Sequence, residues 1–564
     1  MNKKLVLSLP SLVALHSFSV FPEYFLSISI IYVLIVITLI TYNIFNLMLQ
    51  KALSESMALI LLMTSYLTFN DDLLILNFSN FNNSIINDYF AFFTKILICL
   101  FSAFYFFIVG NFLKEQKLTS FEYLLIILFA ILGLMLMCSS NDLLTAYLAI
   151  ELSSLAFYIL ASFRKISSYS VESGIKYFVI GAISSAFFLL GSSFIYGFTG
   201  SINFSDFHDL FECSSIYVRP YYLFSDSWDL GIDELKKLIY ILTLFDTDLL
   251  VPSIVELFFP EELFNYSFIE FGLTLILFSL FIKLSLAPFH LWSLDVYEGS
   301  PTSSTFFFAV ITKLSIFVLL IRLCYQSFFS LKSCWQFYSL WIGIFSIFVG
   351  SFGGLKQRRV KTLLAYSSTS HMGYALIAFS TSTFVGIQMF LFYMFIYMVS
   401  GLCVWYIILL LRLKKNFSEK KYSKELSDLT LLRKSNTALA FSLSLTMFSI
   451  AGIPPLVGFL AKMSVFLSVV GISFYFIALA SIICSVVSTF YYIRIIKILY
   501  FENLLIGKLY YPIKTTKTII LSVSIFSLLF FFSNPTILYL VNYKAIMCLF
   551  LINEIVQLVR TLES

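Results

Sequence analysis

Residues 267–322 read SFIEFGLTLILFSLFIKLSLAPFHLWSLDVYEGSPTSSTFFFAVITKLSIFVLLIR. Two apolar runs flank a polar hinge, DVYEGSPT. Each run is long enough to cross a bilayer, which takes about 20 apolar residues. Each also holds one lysine deep inside, Lys283 and Lys313. A lysine at that depth costs at least ~2.5–3.5 kcal/mol on insertion scales, so it normally faces a wet interior. Pro288 lies five residues after Lys283. Proline removes a backbone donor and breaks the helix ladder. Within a membrane such a break survives only where protein or a water-filled cavity covers the freed groups. A break beside a buried lysine points to an ion path. A proline kink with a snorkelling lysine fits Lys283 alone equally well. The second lysine, in the next run, favours the path.

Composition supports the membrane reading. Of 564 residues, 60% are hydrophobic and 12% charged, against roughly 25% charged in globular proteins. That excludes a soluble fold, and the net charge of +5 carries no sign of nucleic-acid binding. The abundance of Phe, 66 residues, fits an AT-rich coding genome such as an organelle's. The eight cysteines form no C-x-x-C pair and read as small buried hydrophobes. The N-terminus, MNKKLVLSLPSLVALHSFS, faintly resembles a signal peptide but lacks a clear cleavage site. It is treated as part of the mature chain.

Apolar segments fall near 22–46, 54–70, 89–110, 121–138, 142–163, 173–198, 267–290, 302–324, 336–354, 362–380, 384–411, 436–466, 472–498 and 517–541. The expected fold class is therefore an all-α polytopic membrane protein with about fourteen transmembrane helices. Loops after odd-numbered spans are basic: Lys114 and Lys117; Arg164 and Lys165; Lys356, Arg358, Arg359 and Lys361; a run from Arg412 to Lys434; Lys508 and Lys514. The longest even-span loop, 201–266, has twelve acidic residues against Arg219, Lys236 and Lys237. By the positive-inside rule the basic side is the matrix or cytoplasm, and both termini lie opposite. Within that loop, 232–260 mixes apolar and acidic residues and reads as an interfacial helix. The tail after about 543 reads similarly.

Four ionisable residues sit inside apolar spans: Glu151 in the fifth, Lys283 in the seventh, Lys313 in the eighth and Lys462 in the twelfth. Pro454 and Pro455 interrupt the twelfth span as Pro288 interrupts the seventh. Two Pro/Gly-interrupted helices in corresponding halves are a sequence pointer to inverted-repeat transporters. Glu151 is either a protonated carboxyl or, of more use, the partner of a buried lysine. Lysine suits proton transfer because burial lowers its pKa and a nearby carboxylate raises it again. His371, in the tenth span, and His290, after the seventh-span break, are either relay groups or hydrogen-bonded residues at helix ends. Lys95 and Lys176 are expected to snorkel from span ends, and Glu23 to lie at the interface. No phosphate loop, flavin motif or metal-ligating cluster is present in the sequence.

Five stretches carry a resemblance: SSNDLLTAYLAIELSSLAFYILASF, ESGIKYFVIGAISSAFFLLGSSFIYGFTG, LAPFHLWSLDVYEGSPT, KTLLAYSSTSHMGYALIAFS and TMFSIAGIPPLVGFLAKMSVF. They resemble the chain 2 family of mitochondrial NADH–ubiquinone oxidoreductase, antiporter-like subunits in the membrane arm of respiratory complex I. The likeness runs from about residue 120 to 500, interrupted by 201–266. It implies fourteen helices, two inverted five-helix repeats (helices 4–8 and 9–13), and discontinuous helices 7 and 12. The implied organisation is 1–118 for helices 1–3, 119–324 for the first repeat with its insertion, 325–500 for the second repeat, and 501–564 for helix 14 and the tail. Glu151 and Lys283 become the helix-five and helix-seven pair, Lys313 the central lysine and Lys462 the terminal one.

The implied function is proton translocation in the inner mitochondrial membrane, with no cofactor in this chain. NADH, FMN, iron–sulfur clusters and ubiquinone would be handled by other subunits. Expected partners are other membrane-arm subunits, accessory subunits docked at 201–266, and lipids such as cardiolipin. Two rivals are a multisubunit Na⁺/H⁺ antiporter subunit and a structural spacer. The chain 2 motifs argue against the first and the four buried charges against the second.

Overall fold

The computed structural model describes residues 20–40, 46–71, 78–110, 112–113, 120–211, 266–414, 420–422, 425–430, 432–502, 509–510 and 516–547. Most of the insertion, 212–265, and the tail after 547 lie outside the described residues, with the expectations made for them.

The chain is a bundle of helices: α1 (Phe21–Ile40), α2 (Asn46–Asp71), α3 (Tyr89–Val109), α4 (Glu122–Ser139), α5 (Leu143–Ala161), α6 (Ser168–Thr199), α7 (Tyr266–Leu284), α8 (Leu291–Gly299), α9 (Thr302–Val310) and α10 (Thr312–Ile321). After a π-helical turn at Arg322–Ser327 come α11 (Lys332–Gly354), α12 (Val360–Ser380), α13 (Phe384–Leu410), α14 (Thr437–Ala451), α15 (Val457–Val470), α16 (Tyr475–Tyr500) and α17 (Thr516–Ser533). A last helix, α18 (Thr536–Met547), leaves α17 at 85°. The sequence reading runs one span through this corner. Pro535 sits in the break, where it cannot donate to the helix ladder. Among the described residues, eleven helices are long and apolar enough to cross a membrane, or twelve if α17 and α18 form one bent span.

The centre of the bundle is the stretch Thr302–Ser327, which is buried along its whole apolar window. It carries Lys313 and Arg322, so neither can reach solvent by snorkelling. Around it the helices approach closely where small residues meet, as membrane packing favours. A Cβ on Gly191 of α6 would come within 2.5 Å of the Gly272 carbonyl of α7. A Cβ on Gly373 of α12 would fall 2.9 Å from the Gly343 carbonyl of α11.

Connections between elements sort into two ends of the bundle. At one end, Lys361 Nζ donates to the Ser300 carbonyl at 2.8 Å, Arg359 pairs with Glu298 while its backbone forms a β-bridge with that of Glu425, and Arg412–Lys414 lies between Lys420–Tyr422 and Leu509–Tyr510 in a small antiparallel sheet. This is the basic end. At the other, a hairpin of Phe78–Asn80 and Ile85–Asn87 touches Ser140, and Asp142 bridges Asn203. Residues 204–211, the described start of the insertion, form a short helix whose Phe207 stacks on Phe328.

Two expectations made from the sequence fail here. Lys95 does not snorkel, and Glu23 does not sit at an exposed interface. They are 1% and 5% exposed and pair with each other, while Lys95 Nζ also donates to Asn87 Oδ1 at 3.2 Å. The reason is packing: α2 lies along α3, and α1 against α2 and α4, so the start of α3 is enclosed. The lysine then takes the nearest carboxylate. Lys176 is half-exposed and salt-bridged to Glu172 (2.8 Å) and Asp295 (2.7 Å).

Candidate proton-transfer site

Two broken helices frame the site. The first break, between α7 and α8, opens with Ser285 in a left-handed conformation, φ +59°. Its N–H donates to the Ile282 carbonyl (3.1 Å) and that of Leu286 to Phe281 (3.2 Å), the closing bonds that satisfy a helix C-terminus. A cis Ala287–Pro288 peptide follows. Trp292, on the far side of the break, reaches back to donate its indole N–H to the Ile282 carbonyl at 3.0 Å.

The second break, between α14 and α15, repeats the plan at the same spacing. Gly452 is left-handed, φ +84°, its N–H donates to Phe448 at 3.1 Å, and a cis Pro454–Pro455 peptide follows. Here the freed carbonyl is met by a charge: Lys462 Nζ donates to the Ala451 carbonyl at 2.7 Å. A cation at a helix C-terminus is favoured by the helix dipole. Glycine is needed at 452 twice over, for its positive φ and because a Cβ would lie 2.9 Å from Lys462 Cδ.

The two lysines thus differ in their relation to the break. Lys462 reaches back across it, whereas Lys283 lies one residue before the end of α7 and its Nζ is inaccessible and, among the described residues, without a hydrogen-bond partner. Lys313 Nζ is likewise unpartnered. Both line one cavity together with Ser154, Tyr177, Trp292 and Tyr297. Its free space of about 30 Å³ admits one or two waters, since one needs ~10–15 Å³. Glu151 does not form a direct ion pair with Lys283. It accepts from Ser154 at 3.4 Å, and Ser154 lines the lysine cavity. The carboxylate stays within electrostatic reach of the Lys283 ammonium without contacting it.

Lys313 continues towards the second half through aromatic rings. Its ammonium lies 5.9 Å from the Tyr397 ring centroid, and the His371 ring also packs on Tyr397, 5.6 Å between centroids. His371 is 7% exposed. Its Nδ1 lies 2.6 Å from Tyr393 Oη and its Nε2 3.1 Å from Tyr492 Oη. His371 and Lys462 line a second cavity, of about 20 Å³, room for a single water. Lys462 also sits 5.6 Å from the Tyr374 ring centroid. His371 therefore links Lys313, through the Tyr397 ring, to Lys462, with which it shares a cavity. His290 stands apart: it caps α8 by position, and its Nδ1 has no partner. Sequence reasoning missed the tyrosines because a tyrosine inside an apolar span reads as one more aromatic. Among the described residues no group of His, Cys, Asp and Glu could hold a metal ion.

The bundle with two broken helices and internal cationic residues defines an antiporter-like membrane protein. Comparison with known proteins makes this specific. A family model, NADH:quinone oxidoreductase/Mrp antiporter transmembrane, matches residues 140–488, and the chain belongs to that family. Among its relatives, NADH-ubiquinone oxidoreductase chain 2 of Marchantia polymorpha is 37% identical over 83% of this chain and 85% of its own length. NADH-quinone oxidoreductase subunit N of Pelagibacter ubique is 38% identical over 86% and 89%. Solved chains share the fold: one from respiratory complex I of Thermus thermophilus (TM-score 0.68, 22% identity, covering 92% of this chain and 98% of that one), and one from an Mrp complex of Dietzia (0.70, 15%, 94% and 97%).

Proposed function

We propose that this chain is a proton-translocating membrane-arm subunit of a mitochondrial respiratory complex I. It couples NADH:ubiquinone electron transfer in other subunits to proton movement along Glu151, Lys283, Lys313, His371 and Lys462. The observation that carries this reading is the pair of unpartnered ammonium groups, Lys283 and Lys313, in one water-sized cavity beside a helix break. A buried lysine without a partner is the kind that gains and loses a proton readily. Glu151 lies within electrostatic reach of Lys283, so moving charge near either would load or unload the lysine.

Fourteen crossings follow if the broken pair α14–α15 counts as one span, α12 as another and α17–α18 as the last, added to the eleven. Two inverted five-helix repeats then run over α4–α10 and α11–α16, within domain bounds 1–118, 119–324, 325–500 and 501–564. The matched placement of the two breaks supports this. The basic end faces the matrix and both termini the intermembrane space. The partners are neighbouring membrane-arm subunits and lipids such as cardiolipin, with accessory subunits at the insertion 201–266. The relatives at 33–38% identity are complex I chains, whereas the likeness to the Mrp chain is one of fold. This favours complex I over the antiporter reading.

The test is Lys313→Met in the assembled complex. Electron transfer and vesicle acidification driven by NADH are measured together with the amount of complex assembled. Acidification falls by about tenfold or more, within what a positioned proton-transfer group supplies, while assembly is kept. Wild-type acidification in this variant would end the proposal.

A further inference from the structure

The line from Lys313 to Lys462 has a side branch that the proposed axis does not use. It starts at His371. Tyr491 donates to Tyr492 Oη at 3.4 Å, and Tyr492 Oη lies 3.1 Å from His371 Nε2. The opposite ring nitrogen, Nδ1, lies 2.6 Å from Tyr393 Oη. One assignment satisfies all three contacts: Tyr491 donates to Tyr492, Tyr492 donates to Nε2, and Nδ1–H donates to Tyr393. Serines flank the branch, with Ser367 in hydrogen-bonding reach of Tyr492 and Ser370 of Tyr491.

The branch leads towards the basic end of the bundle. The Tyr491 ring packs on Gly354, the last residue of α11, so closely that a Cβ there would be 2.9 Å from Tyr491 Cε1. Beyond Gly354 begins the loop that holds Lys356, Arg358 and Arg359. Arg494, three residues after Tyr491 on α16, donates to the Leu355 and Gln357 carbonyls of that loop (3.1 and 3.4 Å). Tyr491 is thus about one turn below the surface loop. Both tyrosines are 1% exposed, so their hydroxyls are shielded from free exchange. Two adjacent tyrosines on a helix cannot both face one neighbour by periodicity alone. Here both rings are turned inwards, and their hydroxyls meet.

We propose that Tyr491 and Tyr492 form a proton entry that connects His371 with the basic face. This deepens the axis reading and rests on it. In each transfer Tyr492 gives its hydroxyl proton to His371 Nε2 and takes one from Tyr491. Tyr491 is reprotonated by hydronium from the basic-face compartment, which is left as water. Each O–H bond broken is re-formed on the same oxygen. One proton enters; Nδ1–H passes one to Tyr393 Oη as Tyr393 gives its own hydroxyl proton to the neutral amine of Lys462 across the cavity the two line with His371, and His371 regains its starting tautomer before the next transfer, so no phenolate remains.

The test uses the assembled complex in sealed vesicles, with Tyr491→Phe and Tyr492→Phe, each keeping the ring and removing the hydroxyl. NADH-driven proton uptake from the basic-face compartment is read as the pH of that compartment is varied. Uptake in either variant falls by about tenfold, less than the ~10²-fold or more that a positioned acid–base group can supply. It recovers in part when that compartment is made more acidic, because entry has become limiting. Reduced assembly with an unchanged pH profile would mean that the rings merely pack, and overturns the entry. Wild-type uptake in both variants, beside a defective Lys313→Met, overturns the entry and leaves the axis standing. Wild-type uptake in Lys313→Met removes both.

Discussion

Two sets of buried charges occupy this chain, and they are built on opposite rules. Near the end of the bundle away from the basic loops, Arg322 and Asp88 are both without solvent exposure and paired with each other. Arg322 Nε also donates to the Cys138 carbonyl at 2.8 Å, in the last turn of α4, and Nη1 to Gln326 at 3.4 Å. Asp88 is the N-cap of α3 and accepts from the Ala91 N–H at 3.1 Å. One guanidinium thus joins the start of α3, the end of α4 and the central helix. The Lys95–Glu23 pair lies close by, since the Cys138 thiol feels Lys95, Arg322 and Glu23 together. This cluster holds two cations and two anions and is compensated. The axis holds three lysines and one carboxylate, and two of its ammonium groups have no hydrogen-bond partner among the described residues. Paired charges lock helices; unpaired charges remain free to titrate. Lys462, with one carbonyl as partner, stands between.

That contrast orders the effects of substitution. The largest effect on assembly falls in the paired set. Arg322→Met leaves Asp88 buried and uncompensated, which costs ~3–5 kcal/mol, while replacing both partners is often close to neutral. Assembled complex on native gels should drop sharply in Arg322→Met and return in Arg322→Met/Asp88→Asn. Failure of the double variant to recover would mean that the Cys138 and Gln326 contacts, rather than charge balance, hold the helices.

An intermediate effect is expected at the second break. Gly452→Ala places a Cβ at positive φ, a cost of ~1–2 kcal/mol, and pushes on Lys462 Cδ. The ammonium is then displaced from the Ala451 carbonyl, so both thermal stability and proton uptake should fall. At the matching position of the first break, Ser285→Gly relieves a left-handed non-glycine residue and should leave stability level or slightly raised. Thermal denaturation of the two variants side by side checks this. Equal losses at both sites would show that the breaks are not held in the two different ways their contacts indicate.

Much of this design was legible in the sequence. Most described helices overlap the apolar runs, the corner at Pro535 excepted, and Pro288, Pro454 and Pro455 mark two of the breaks. Lys283, Lys313 and Lys462 stand out because a charge inside an apolar run has no ordinary use there. The compensated cluster was not legible. Asp88, Glu23 and Arg322 sit at span ends, where a charge is unremarkable, and their partners are 234 positions apart in one case. Nor does periodicity show which tyrosines turn their hydroxyls inwards, because aromatic residues fill both the lipid face and the interior. The distance between Glu151 and Lys283 was also out of reach: residue types announce a pair, but only packing decides whether the two touch.

The smallest effect on assembly, and the sharpest separation of the two sets, is expected at Lys283. Among the described residues its Nζ has no hydrogen-bond partner to leave stranded, so Lys283→Met orphans no donor or acceptor there. Methionine keeps the unbranched apolar stem and adapts to irregular space. The change also removes a charge that is costly to bury, which offsets the lost field on Glu151. Assembled complex should therefore stay at the wild-type level, in contrast to Arg322→Met. Proton uptake should nevertheless fall, because the cavity shared with Lys313 loses one of its two protonatable groups. Measuring assembly and uptake on the same membranes decides the matter. An assembly defect as large as that of Arg322→Met would place Lys283 among the locking charges and erase the distinction, whereas intact assembly with reduced uptake sets it with the titrating ones.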